Sequence, residues 1–203
     1  MPDLAAALRA ALPPGVALGQ GRDEPLWPGE TLLGAVPARL AEFARGRSAA
    51  RAAMRGLGLA HVSLPMNPDR SPLWPPELTG SISHCAGACF AIAGLRSEFA
   101  GLGLDLEPTK PVGPDLWPVI LRPEERDIDP LTVFVAKEAA YKAQYPITGV
   151  LFDFHALSVT LNGKRFTATF QQPVGRFAKG YAVHGCILRT AYHTAAICAI
   201  RAF

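Results

Sequence analysis

Between residues 37 and 58 the apolar side chains of Leu40, Phe43, Ala50, Met54 and Leu57 recur at a helical period, and Gly58 supplies a stop, so an amphipathic helix is predicted there. Residues 64–78 carry five prolines, which remove the amide donors that a helix or central strand needs; this segment must run extended or turn. Short apolar runs at 80–83 and 88–95, split by Cys85-Ala86-Gly87, predict two buried strands, and 101–107 predicts a third that closes at Pro108. The second half repeats that order. A stretch rich in Ala, Lys, Glu and aromatic residues opens at Pro130, where a first helical turn tolerates proline, and is predicted to end at Tyr145, ahead of Pro146. Asn162-Gly163 between alternating runs marks a hairpin, and strands near 181–188 and 192–201 complete the chain. A helix followed by strands, twice over, predicts an α+β protein of two similar helix-plus-antiparallel-sheet halves, residues 1–100 and 101–203.

Composition narrows the class. The 203 residues are 49% hydrophobic and 18% charged, which sets the chain apart from disordered sequences and allows a substantial core. The best apolar runs, 86–95 and 191–200, fall short of the roughly 20 residues that cross a bilayer. Asp3 and Arg9 interrupt the Ala/Leu-rich N-terminus where a secretory segment would be uncharged, so a cytoplasmic protein is expected. Cys85, Cys89, Cys186 and Cys198 lie in apolar stretches without a Cys-x-x-Cys, which favours buried free thiols over a disulfide framework, zinc or redox chemistry. The net charge of +3 hides an asymmetry: 15 of the 20 basic residues are arginine, and several fall within 39–55. That clustering suggests a local anion site more than a nucleic-acid surface.

Candidate chemistry lies at four places. Asp105 and Glu107 are two apart on a predicted strand, so their carboxylates share a face while Leu104 and Leu106 enter the core. Clustered anions repel unless a cation intervenes, and hard oxygen ligands suit magnesium; alone, the pair also reads as a solvated edge strand. Glu138 and Lys142 stand at i and i+4 on one helix face, the spacing of a common surface ion pair, while Lys137 points about 100° away. Ser83 and His84 end a strand where a turn begins; they would either bind phosphate, or His84 is a core histidine with a backbone partner. Adjacent residues on an extended chain diverge, which argues against a His84/Cys85 nucleophilic pair. Arg47 falls on the apolar stripe of the first helix and Arg51 on its edge; a buried cation needs a partner, so each either meets a ligand phosphate, pairs with Glu42 or another acid, or snorkels to solvent. Arg70, in the proline-rich segment, reads by default as solvated.

Taken together, GRSAAR (46–51), DRSPLWPPELTGSISHC (69–85), GLGLDLE (101–107) and FVAKEAAYK (134–142) resemble the 4′-phosphopantetheinyl transferases, especially the surfactin-type group and its enterobactin-synthase component D branch. The resemblance implies two similar α+β halves forming a pseudo-dimer within one monomeric chain, with coenzyme A bound in the cleft between them. It implies Asp105, Glu107 and Glu138 as magnesium ligands, with Glu138 also the general base. Lys142, and with it Lys137, would face the coenzyme A pyrophosphate; Ser83, His84, Arg70, Arg47 and Arg51 would hold its phosphates and adenosine end. Leu106 offers no ligand, so water or backbone would complete the metal shell. The implied reaction moves 4′-phosphopantetheine from coenzyme A to a serine of an apo acyl, peptidyl or aryl carrier protein, as in siderophore and nonribosomal peptide synthesis, and releases adenosine 3′,5′-bisphosphate. The same acids would serve a magnesium-dependent nucleotide pyrophosphate hydrolase, and a non-catalytic coenzyme A or carrier-binding module is a third reading. Neither nucleic acid nor membrane is expected as a partner.

Overall fold

The computed structural model describes residues 4–203, so the N-terminal reading based on Asp3 lies outside them. α1 (Leu4–Ala11) and β1 (Val16–Gln20) precede α2 (Pro37–Gly56), from which the proline-rich segment leads to the hairpin of β2 (Leu78–Cys85) and β3 (Ala88–Leu95). Then come β4 (Phe99–Pro108), a single turn α3 (Trp117–Ile120), α4 (Pro130–Thr148), β5 (Leu157–Asn162), β6 (Arg165–Phe170), β7 (Ala182–Arg189) and β8 (His193–Arg201). The strands form two antiparallel sheets, β1-β3-β2 and β4-β8-β7-β6-β5. α2 packs Ala49, Ala50, Ala53 and Met54 toward the first sheet, and α4 packs Val133, Ala136, Ala139 and Ala143 toward the second. The architecture is therefore α+β with two helix-plus-antiparallel-sheet halves.

The halves share a connectivity. In each, the strand before the long helix pairs with the last strand, and that strand pairs with its predecessor. The β5–β6 hairpin extends the second sheet and turns at Gly163 with φ +58°, as its Asn-Gly pair predicts. Three details differ from the pattern-based reading. β1 is five residues without alternation, and it is a strand because β3 offers a ladder from Val16 to Gln20. α4 does not stop before Pro146 but continues to Thr148; the proline removes one amide near the helix end, and Gly149 at φ +65° closes the last turn by donating to Tyr145 O. The four cysteines are free, but only Cys89 and Cys198 are buried, Cys85 and Cys186 being half-buried. Among the described residues no helix is long and apolar enough to cross a membrane.

β4 sets the geometry of the molecule. Its even-numbered Leu102, Leu104 and Leu106 are fully buried against Phe90 and Ile92 of β3, Ala195 and Ile197 of β8, and Ala5 and Leu8 of α1. Each such leucine contributes about 1.5–3 kcal/mol of burial. The odd-numbered positions face α4. A Cβ at Gly103 would lie 1.8 Å from Ala139 O, and one at Gly101 1.9 Å from Ala143 O, so only glycine lets the strand rest on the helix backbone. The next odd positions, Asp105 and Glu107, are consequently carried against the flank of α4. On its other edge β4 meets β2 through serine hydroxyls: Ser81 Oγ accepts the Leu104 N–H at 3.0 Å, and Ser83 Oγ accepts the Leu106 N–H at 3.1 Å.

Candidate active site

Asp105 is buried, and its Oδ1 receives Lys142 Nζ at 2.6 Å. The same ammonium reaches Leu104 O at 3.2 Å and Ser83 Oγ at 3.5 Å, while Ser83 Oγ donates to Asp105 Oδ1 at 3.3 Å. Lys142 thus joins β2, β4 and α4 at one point, and it bonds to Asp105 in place of the helical partner Glu138 that its spacing suggested. Burial pushes the Glu138 carboxyl upward, with the charge of Asp105 adding to it and Lys142 opposing. Burial, then Asp105, does the same to Glu107. One buried and two half-buried carboxylates thus lie near a single ammonium.

Asp105 Oδ2 is buried without a hydrogen-bond partner. Such an orphaned oxygen is costly unless something occupies it, and its neighbours Glu107 and Glu138 are also hard oxygen donors held in mutual repulsion. Among the described residues, no three His, Cys, Asp or Glu side chains stand close enough to hold an ion as a ready-made cage. The hard oxygens present are compatible with magnesium, which takes one or two protein carboxylates together with substrate phosphates and water.

A cavity of about 390 Å³ adjoins this centre, lined by Arg39, Glu42, Arg47, Arg70 and His84 among others. Arg47 is 5% exposed; its guanidinium lies 4.0 Å from the Phe43 ring centroid, and its Nε has no partner. Burial lowers its pKa to about 10, Glu30 opposing and Arg51 adding to the effect. Glu42, the acid that could have neutralised it, instead accepts Arg39 Nη1 at 3.0 Å. A charged, buried arginine without an ion-pair partner at a cavity wall is chemically suited to an anion. His84 turns the opposite way from Ser83, toward Arg39 Nη1 at 3.3 Å, so the two residues serve different parts of the cleft. Arg70 lines this cavity and also a larger cleft of about 540 Å³ that contains Lys142, Ser81, Tyr141 and Tyr145.

Two residues from the sequence-based set are ion-paired outside the Lys142–Asp105 junction. Arg51 is fully buried, and its Nη1 donates to both Glu30 oxygens at 2.7 and 2.6 Å, with Trp27 stacked at 4.5 Å. Lys137 Nζ is engaged by Glu125 Oε2 at 2.6 Å and Ile120 O at 2.8 Å. Burial lowers the Lys137 pKa, and Glu125 counteracts it. Both cations have their charge taken by a glutamate of their own half, although Arg51 Nε has no partner and Lys137 lines a small pocket with Glu138 and Tyr141. Conversely, sequence reasoning passed over Gly101 and Gly103, whose alternation ahead of Asp105 was the visible signal. It also passed over Arg39, one more cation in an arginine-rich run, and Tyr145, which nothing in sequence marks.

Residues 30–94 match the family model of the 4′-phosphopantetheinyl transferase N-terminal domain, and residues 101–198 match that of the 4′-phosphopantetheinyl transferase superfamily. The chain is 36% identical over 154 residues to 4′-phosphopantetheinyl transferase Svp of Streptomyces mobaraensis, spanning 68% of this chain and 62% of that protein. It is 32% identical over 163 residues to 4′-phosphopantetheinyl transferase PptT of Mycobacterium tuberculosis, spanning 75% of this chain and 70% of that protein. Enterobactin synthase component D of Salmonella typhimurium is 38% identical over a shorter 117 residues, 52% of this chain and 48% of that protein. The matches thus span between 48% and 70% of the length of these curated relatives. It belongs to the 4′-phosphopantetheinyl transferase family.

Proposed function

We propose that this chain transfers the 4′-phosphopantetheine group from coenzyme A to a serine of an apo carrier protein, releasing adenosine 3′,5′-bisphosphate. The observation that carries this reading is the Lys142–Asp105 contact at 2.6 Å beside the carboxylates of Glu107 and Glu138, in a chain of this family. The pyrophosphate of coenzyme A lies against the Lys142 ammonium in the cleft where residues 1–100 meet 101–203. Asp105, Glu107 and Glu138 would hold magnesium, which when bound supplies positive charge to the pyrophosphate oxygens. Glu138 takes the proton of the carrier serine as its Oγ bonds to the β-phosphorus, and the bond from that phosphorus to the bridging oxygen breaks. Burial, which raises the basicity of Glu138, brings it closer to the working pH of a general base. Arg47, Arg70 and His84 hold the phosphates of the nucleotide end, with Ser83 completing the Lys142–Asp105 junction.

Both walls of the cleft come from one chain, which supports a monomer as the working unit, placed in the cytoplasm where coenzyme A and carriers meet. The carrier is acyl, peptidyl or aryl; the likeness to enterobactin synthase component D supports siderophore or nonribosomal peptide carriers among them. The test is intact-mass analysis of apo carrier proteins incubated with this protein, coenzyme A and magnesium. A carrier gaining the mass of phosphopantetheine is the expected result. Phosphopantetheine released to solution with the carrier unmodified would identify a pyrophosphate hydrolase, and no reaction would leave a binding module.

A further inference from the structure

Residues 66–72 form a small closed turn outside both sheets. Met66 and Pro72 pair in an isolated bridge, Asn67 N–H donates to Ser71 O at 2.9 Å, and Arg70 N–H donates to Asn67 O at 2.9 Å. At its tip Arg70 has φ +71°, the only left-handed residue other than glycine among those described. For an L-residue that conformation costs roughly 1–2 kcal/mol and persists only where its surroundings over-determine it.

Asp69 is what over-determines it. Its Oδ1 accepts the Ser71 N–H at 2.9 Å and the Ser71 O–H at 2.7 Å, while its Oδ2 accepts the Tyr145 phenol at 2.8 Å. The Ser71 hydroxyl, then the Ser71 amide and Tyr145, hold the Asp69 carboxyl below its ordinary range. Tyr145 belongs to α4, where it stacks on Tyr141 with ring centroids 5.8 Å apart. The turn follows α2 and the tyrosine sits on α4, so this bond crosses from one half to the other. Among the described residues no other side-chain hydrogen bond joins residues 66–72 to α4. Arg70, held at the rim shared by the 540 Å³ cleft and the 390 Å³ cavity, has no ion pair or side-chain hydrogen bond of its own.

We propose that Asp69 and Tyr145 form a latch between the two halves that positions Arg70, so that the phosphate-bearing nucleotide end of coenzyme A is gripped when the latch is closed. The inference rests on the function proposed above. Asp69 and Tyr145 are positioning residues: they act through Arg70 and take no part in bond-making. With the latch open, only the turn's own hydrogen bonds oppose relaxation of Arg70 out of the left-handed region, and its guanidinium is no longer held at the rim throughout. Ligand binding must then re-form the turn, which lowers apparent affinity by the fraction of time the turn is competent. Turnover of the bound complex is unaffected, because the Lys142 and Glu138 side chains do not depend on the turn.

The test is calorimetric titration of coenzyme A into the wild-type protein and the Tyr145→Phe, Arg70→Ala and double variants, with steady-state kinetics alongside. Tyr145→Phe removes one exposed hydroxyl and should raise the Kd for coenzyme A roughly 5- to 30-fold, the equivalent of the 1–2 kcal/mol strain. Its kcat at saturating coenzyme A should match that of the wild type. The double variant should bind no more weakly than Arg70→Ala alone, since Tyr145 works only through that arginine. Asp69→Asn, which removes the charge and one acceptor oxygen, should weaken binding in the same way and serves should Tyr145→Phe fail to fold. A wild-type Kd in both Tyr145→Phe and Asp69→Asn would overturn the latch, as would additive losses in the double variant, which would mean that Tyr145 touches the ligand directly. A wild-type protein that binds no coenzyme A would overturn the functional reading and the latch with it; failure of the latch alone leaves wild-type binding intact.

Discussion

Glu30 and Glu125 occupy the same place in the two halves of the molecule. Each is buried ahead of a long helix and accepts a backbone N–H from three residues earlier, Trp27 at 2.9 Å and Arg122 at 2.7 Å. Each accepts another from 34 residues later, Leu64 at 2.9 Å and Val159 at 2.6 Å. Each holds a buried cation of its helix, Arg51 or Lys137. The segments Leu26-Trp27-Pro28-Gly29-Glu30 and Leu121-Arg122-Pro123-Glu124-Glu125 share Leu, Pro and Glu in register. The two carboxylates tie loop, helix and returning chain together in each half.

Removing one member of such a pair strands a buried charge. Glu125→Ala is expected to lower unfolding free energy in urea by about 3–5 kcal/mol, whereas the Glu125→Leu/Lys137→Met double variant recovers only the part due to the stranded charge, the Arg122 and Val159 amides still lacking their acceptor. Coenzyme A affinity of the folded double variant should equal that of the wild type. A large loss of affinity would return Lys137 to the binding site.

Arg47 should behave in the opposite sense. Its charge is buried without an ion-pair partner, so Arg47→Met is expected to raise the melting temperature of the ligand-free protein while weakening coenzyme A binding. Titration of coenzyme A and its 3′-dephospho form then identifies the phosphate: a loss confined to coenzyme A assigns Arg47 to the 3′-phosphate, and equal losses assign it to the pyrophosphate.

Glu138→Gln separates base from ligand. The amide keeps one metal-binding oxygen but cannot accept the serine proton, so turnover should fall roughly 10²- to 10⁴-fold and stay low in saturating magnesium while coenzyme A still binds. Full recovery with added magnesium would leave Glu138 a ligand only. Lys142→Ala should impair both binding and turnover, because in the proposed complex its ammonium meets the pyrophosphate in the ground state as well as the transition state.

Gly103→Ala places a methyl group 1.8 Å from Ala139 O, where backbone must move. A stability loss of about 1–3 kcal/mol or more is expected, measured by chemical denaturation. The folded fraction should also lose turnover, since separating β4 from α4 separates Asp105 from Lys142 and Glu138.

Magnesium should stabilise the protein in a pH-dependent way. Burial and the neighbouring Asp105 raise Glu107 and Glu138 above the ordinary 4.5, so in metal-free protein their contribution is fully favourable below 4.5 and is lost as pH rises through the elevated values. Added magnesium relieves the repulsion between the ionised groups. The rise in melting temperature on adding magnesium should therefore be larger at pH 8 than at pH 5, and an equal rise at both would argue that the metal binds elsewhere.

By itself the sequence determined the elements whose signals are local: α2 from its apolar period, the Asn162-Gly163 hairpin, and the shared face of Asp105 and Glu107 that follows from the two-residue repeat of a strand. It also determined the family, through motifs that stand in order along the chain. It did not determine which cations are free. Arg47 and Arg51 lie one helical turn apart on α2, and Lys137 and Lys142 lie on one α4, yet in each helix one cation is spent on a buried glutamate and the other faces the cleft. That division depends on where Glu30 and Glu125 return from outside their helices, which helical spacing does not encode. The partner of Lys142 was likewise a tertiary outcome: local spacing offered Glu138, but the bare backbone of Gly101 and Gly103 brings β4 so close to α4 that Asp105 Oδ1 lies within 2.6 Å and takes the ammonium instead.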